Sequence, residues 1–130
     1  MTDAADPAPS VEGILIAERE GYWEARVRPT DSFPRFMEQL EELRAFCADR
    51  KPARVVLDMR GYLGTLTITD RYDVGNFGAR VQGQVGRVAV IAQASLIDPQ
   101  RFGLKVAQNR GLNVELFIDP DEAVRWLLRP

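Results

Sequence analysis

The residues best able to do chemistry in this chain are gathered in one stretch, Asp58-Met59-Arg60-Gly61-Tyr62-Leu63-Gly64-Thr65-Leu66-Thr67-Ile68-Thr69-Asp70. The Asp58 carboxylate, the Arg60 guanidinium and the threonine hydroxyls at alternate positions, Thr65, Thr67 and Thr69, suit the holding of a ligand or partner better than the making of bonds. Asp58 and Arg60 end one aliphatic run, and Gln93 and Ser95 end a second. Open α/β sheets bind ligands at such places, beyond the carboxyl ends of their strands. Asp58 has a plainer role open to it as well, bonding nearby backbone N–H groups and fixing the turn.

Groups suited to catalysis are scarce elsewhere. The sequence contains no His, which removes the commonest general base and metal ligand together. It has no Gly-x-Ser-x-Gly elbow, no phosphate-cradling glycine loop with Lys and no Cys/His cluster. Cys47, the one cysteine, falls on the apolar side of a helical pattern and is read as core, while Glu38, Glu41 and Glu42 fall on its wet side. The expectation is a protein without catalytic residues, metal site or cofactor, not an enzyme.

Those residues must be positioned by elements that the hydrophobic periodicity marks out. Gly13–Glu18 and Tyr22–Pro29 are β-rich and separated by a short turn, which predicts a hairpin. In the second of them Trp23, Ala25 and Val27 alternate with Glu24, Arg26 and Arg28, as in a strand with one wet face. After Ser32, a predicted N-cap, Phe33, Phe36, Met37, Leu40, Leu43 and Cys47 recur at helical spacing. Ala53–Met59 and Arg87–Ala92 carry continuous apolar runs and are expected at the centre of a parallel sheet. Between them Val74, Phe77 and Val81 predict a helix over Thr69–Gln84. Asp98-Pro99 predicts the start of a third helix running to about Arg110 and stopped by Gly111, followed by a strand over Leu112–Ile118. Asp119, Pro120 and Glu122 predict the capped start of a last helix.

The order is β-β-α-β-α-β-α-β-α, and right-handed crossovers then require a mostly parallel five-stranded α/β sheet with an N-terminal β-hairpin and four helices. At 130 residues, 45% hydrophobic and 28% charged with formal charge −2, the chain has the bulk of one soluble domain. We expect a mobile N-terminal tail at 1–10 and a single domain over 11–130. No apolar run reaches membrane-spanning length, so no transmembrane segment is expected. The first ten residues lack the basic start and apolar stretch of a secretory signal, and one cysteine cannot form an internal disulfide; a cytoplasmic setting fits both.

Two further features bear on binding. Gly75, Gly78 and Gly83 each cost a helix about 1 kcal/mol against Ala. On a helical wheel Gly75, Ala79 and Gly83 form a smooth strip near Tyr72, well away from the Val74, Phe77 and Val81 stripe. That strip reads either as a surface for a partner helix, a second copy or a flat ligand, or as an irregular helix with no partner. From Arg71 to Arg110 the bases Arg71, Arg80, Arg87, Arg101, Lys105 and Arg110 outnumber Asp73 and Asp98, a balance open both to an anionic ligand and to simple solvation. Nucleic acid is not expected, given the net negative charge and no aromatic interleaving.

The element order, the Val55–Met59 segment with its loop into a helix, the Arg87–Ala92 strand, and the ending Phe117-Ile118-Asp119 with Glu122-Ala123 and Trp126-Leu127 together resemble a STAS domain. More narrowly they are similar to the bacterial SpoIIAA-like branch grouped with SEC14-type lipid-binding domains, over residues 12 to 128. The resemblance implies a SpoIIAA-like fold and a regulatory domain that docks a partner kinase and is switched off by phosphorylation of a Ser or Thr. That acceptor sits in an Asp-Ser-x-Gly-like motif, of which this chain keeps the Asp and lacks the Ser. Thr67 and Thr69 lie near its place in a longer loop and are the phosphoacceptors the resemblance implies. Phosphate there would meet a helix N-terminus, with Asp70 and Asp73 opposing it; the plainer reading, that one of these threonines is simply an N-cap, is favoured.

Two functions are therefore carried forward. The favoured one is a non-catalytic regulatory domain docking a protein, or a second copy as a homodimer, through Asp58, Arg60, Thr65, Thr67, Thr69, Tyr72, Gly75 and Ala79. The alternative, along the SEC14 connection, is binding of a small amphipathic or anionic ligand between helices and sheet. A short chain leaves little volume for both a core and a large cavity, which weighs toward the first.

Overall fold

Hairpin, crossovers and sheet follow from how each segment must bury its apolar side. A computed structural model describes residues 13–130; the expected tail at 1–10 lies outside the described residues. Strands β1 (Leu15–Arg19) and β2 (Tyr22–Arg26) pair antiparallel, and β3 (Arg54–Asp58), β4 (Arg87–Ile91) and β5 (Val114–Phe117) continue the sheet in parallel, in the order β1-β2-β3-β4-β5. The expected mostly parallel five-stranded α/β sheet with an N-terminal hairpin is what forms.

Because the chain steps across the sheet in one direction, right-handed crossovers place α1 (Phe33–Arg50), α2 (Ile68–Arg80) and α3 (Phe102–Asn109) on the same face. Side chains alternate accordingly. Val55, Leu57 and Val88 join the core under these three helices with Phe36, Leu40, Phe77 and Ala107. Val56, Ala89 and Ile91 point the other way and pack with Ala123 and Leu127 of α4 (Pro120–Leu127). The central strands are thus apolar on both faces, which is why they read as uninterrupted runs.

Helix ends refine the expected boundaries. Ser32 caps α1 by accepting from the Arg35 N–H at 3.3 Å. Helix α2 stops at Arg80 rather than Gln84, because Gly83 lies beyond it in the left-handed region at φ +87°. Helix α3 starts at Phe102, not at Pro99: the Asp98 carbonyl takes the Arg101 N–H, its carboxylate takes the Phe102 N–H at 3.2 Å, and Arg101 turns the chain at φ 51°. The final strand is shorter than Leu112–Ile118, since the Leu112 N–H is spent on the Ala107 carbonyl at the end of α3. At α4 Asp119 accepts from the Asp121 N–H, so the cap is the Asp side chain alone and not a capping box with Glu122.

Candidate functional site

The predicted site residues divide between two places. At the end of β3, Asp58 is buried and held by Arg60 through three hydrogen bonds: from the backbone N–H at 3.1 Å, from Nε at 3.0 Å and from a terminal nitrogen at 2.8 Å. Burial alone would raise the Asp58 carboxyl. The Arg60 hydrogen bonds, with the charges of Arg60 and Arg26, more than offset it and hold Asp58 below its ordinary value. Gln93 donates to the Arg60 carbonyl at 2.8 Å and so ties the two rim loops together. Asp58 and Arg60 satisfy each other, which is the turn-fixing role.

Along the loop, Thr65, Thr67 and Thr69 are all exposed. The Thr65 carbonyl accepts from the buried Tyr62 hydroxyl at 2.8 Å, and Tyr62 stacks on Phe36 at 4.8 Å between ring centres. Thr67 is the N-cap of α2: its hydroxyl accepts from the Asp70 N–H and the Asp70 carboxylate accepts from the Thr67 N–H, both at 3.0 Å. This capping box explains why the helix begins at Ile68, one residue before the expected Thr69. Thr69 follows in the first turn. Tyr72 is exposed and stacks on Phe102 of α3, with ring centres 6.3 Å apart.

The glycine strip on α2 is covered at Gly75, and this corrects the expectation of a free surface at that residue. Gly75 is buried, and a Cβ on it would stand 2.7 Å from both the Gly103 carbonyl oxygen and Val106 Cβ. A Cβ on Gly78 would stand 2.9 Å from that of Ala107. The helix that approaches is the chain's own α3; Ala79 is half-buried, and Gly83 is outside the helix. Gly75 is therefore not available to a partner protein.

What sequence reasoning missed lies beneath that seam. A cavity of about 130 Å³ opens between the sheet and the three helices. Val55, Leu57, Val88, Val90, Val114 and Leu116 form its floor, and Leu40, Val74, Phe77, Leu104 and Ala107 are among its walls. Among the described residues that line it, only Arg71, Asp98 and Arg101 carry charged or polar side chains. Arg71 and Asp98 meet where α2 and α3 begin, beyond the carboxyl end of β4. Arg71 donates to the Leu96 carbonyl at 2.7 Å, and its guanidinium stands 3.7 Å from the Asp98 carboxylate, both side chains largely but not wholly buried. Arg101 is exposed. Cys47 also lines the cavity, and burial pushes its thiol up to about 11. The small residues Gly75, Gly78 and Gly103 signal the close approach of α2 and α3 above the cavity and not the cavity itself.

Among the described residues no cluster of three or more His, Cys, Asp or Glu side chains could hold a metal ion. No helix among them is long and apolar enough to cross a membrane. Comparisons with protein families, with curated proteins and with solved structures found no match to this chain.

Proposed function

We propose that this protein binds a small amphipathic molecule, its apolar body in the cavity and its anionic head at Arg71 and Arg101. One observation carries the reading: an apolar cavity of about 130 Å³ whose charged lining groups among the described residues are Arg71, Asp98 and Arg101, the first two 3.7 Å apart. A ligand filling it would take its apolar lining out of water and stabilise the fold. An apolar cavity of ~150 Å³ accepts benzene, so the body placed here has about four to six carbons. The SEC14 side of the family likeness fits such binding, and the activity is carriage or sensing, not catalysis.

Native mass spectrometry after mild extraction tests the reading. A retained mass of one small molecule, lost on substituting Arg71→Gln, is expected. Protein that is always empty and takes up no C4 to C8 carboxylate in solution would overturn it.

A second reading is favoured by exposed apolar side chains beside the start of α2. Ile68 is 75% exposed, and Tyr72 and Phe102 stack at the surface nearby. As a regulatory domain of STAS type in the cytoplasm, the protein would dock a partner or a second copy there, under phosphorylation of Thr69. Thr67 suits that role less, because its hydroxyl is already the helix cap. Incubation with candidate kinases and intact-mass analysis tests it; phosphate on Thr69 with altered association is the expected result, and an unmodified monomer the contrary one.

A further inference from the structure

The charges at the cavity mouth are of both signs, and this narrows the ligand beyond an anionic amphiphile. We propose that the ligand is zwitterionic, an α-amino acid with an apolar side chain of about four to six carbons, its carboxylate on Arg71 and Arg101 and its ammonium on Asp98. The proposal rests on the reading of the cavity as a ligand site.

Arg71 and Asp98 are each fixed by the backbone and only loosely by one another. Arg71 is anchored on the Leu96 carbonyl at 2.7 Å, and Asp98 on the Phe102 N–H at 3.2 Å. Between them the separation is 3.7 Å, too long for a hydrogen bond. Two largely buried, opposite charges are thus held side by side with hydrogen-bonding capacity left over. Buried charges favour partners of opposite sign and hydrogen-bonding geometry. A simple carboxylate satisfies Arg71 but stands against Asp98. A simple amine does the reverse. A molecule carrying both charges on groups attached to one carbon satisfies both, and Arg101, an exposed residue of the lining, supplies a second cation.

Size agrees with charge. With the zwitterion at the mouth, only the side chain enters the void of about 130 Å³, which matches the branched aliphatic class and leaves short side chains without contacts. The same seam that brings α3 against Gly75 sets this limit, since Gly103 and Leu104, just after Arg101, form part of the wall.

Three molecules of one shape separate the elements of the proposal: L-leucine, 4-methylpentanoate, which lacks the ammonium, and 3-methylbutylamine, which lacks the carboxylate. Titration of the full chain is followed by NMR on the methyl groups of Val88, Val90 and Leu116. Leucine should bind at least tenfold more tightly than either analogue, and Asp98→Asn should abolish its advantage over 4-methylpentanoate. If 4-methylpentanoate or the amine binds as well as leucine, the zwitterion is refuted and the cavity still stands as a ligand site. If none of the three moves those methyl resonances at millimolar concentration, both readings fall together.

Discussion

Gly75 of α2 lies so close to Gly103 of α3 that a methyl group added to it would stand 2.7 Å from the Gly103 carbonyl oxygen. The approach is mutual, since a Cβ on Gly103 would stand 2.9 Å from the Arg71 carbonyl oxygen. In an open helix Gly75→Ala would gain about 1 kcal/mol of helix propensity. Here the new carbon meets backbone that cannot rotate away, and overpacking of this kind costs ~1–3 kcal/mol. We expect Gly75→Ala to lower the urea midpoint. A midpoint equal to or above that of the wild type would mean that the seam is looser than described.

The Asp58–Arg60 pair predicts a pH dependence of definite sign. The carboxyl is held below its ordinary value, near 3.8, so the folded protein binds a proton there less readily than the unfolded chain. Stability from this group is complete above that value and is lost as pH falls through the lower folded one. Asp58→Asn should therefore destabilise the protein at pH 6, and the difference from wild type should shrink below pH ~4. Denaturant midpoints at pH 6 and pH 3 measure it; a gap that stays constant with pH would place its cause in something other than ionisation.

How much of this was legible in the sequence depends on the reach of each interaction. Strands and helices read out well because Val55–Leu57, Val88–Ile91 and the α1 stripe from Phe36 to Cys47 encode burial at short range. Ser32 and Asp119 acted as caps for the same reason. The wheel placed Gly75 off the stripe of Val74 and Phe77, yet it took the sheet as the only neighbour of α2, and the strip was left facing outward. The covering surface comes from α3, about 28 residues later, through Gly103 and Ala107. Arg71 and Asp98 are likewise 27 positions apart and meet only once α2 and α3 start side by side. Asp98-Pro99 misled because a cap and a turn use the same residues: here Asp98 makes a turn first, and Arg101 opens the helix.

Cys47 gives a readout of the intact core. Its thiol is buried and pushed up to about 11, so at pH 8 only about one molecule in a thousand carries thiolate. Disulfide exchange reagents should label it no faster than the protein opens. The labelling rate at pH 8 should rise in step with the unfolded fraction as urea is added, and labelling within seconds in buffer would show that water reaches the thiol.

The same substitution on the two faces of the sheet should have opposite effects. Val56 and Val88 are both buried on neighbouring parallel strands, and each is β-branched, so Ile keeps the strand preference at either position. Val88 lines the cavity, and an added methylene there enters unfilled space, burying apolar surface worth up to ~1 kcal/mol. Val56 packs in the α4 cluster with Ala89, Ala123 and Leu127, where the extra carbon has no room and costs ~1 kcal/mol or more. Val88→Ile should raise the denaturant midpoint and Val56→Ile lower it, with the first also weakening whatever small molecule occupies the void. Equal destabilisation by both would mean that the space beneath α2 and α3 closes in solution, and the case for a ligand there would close with it.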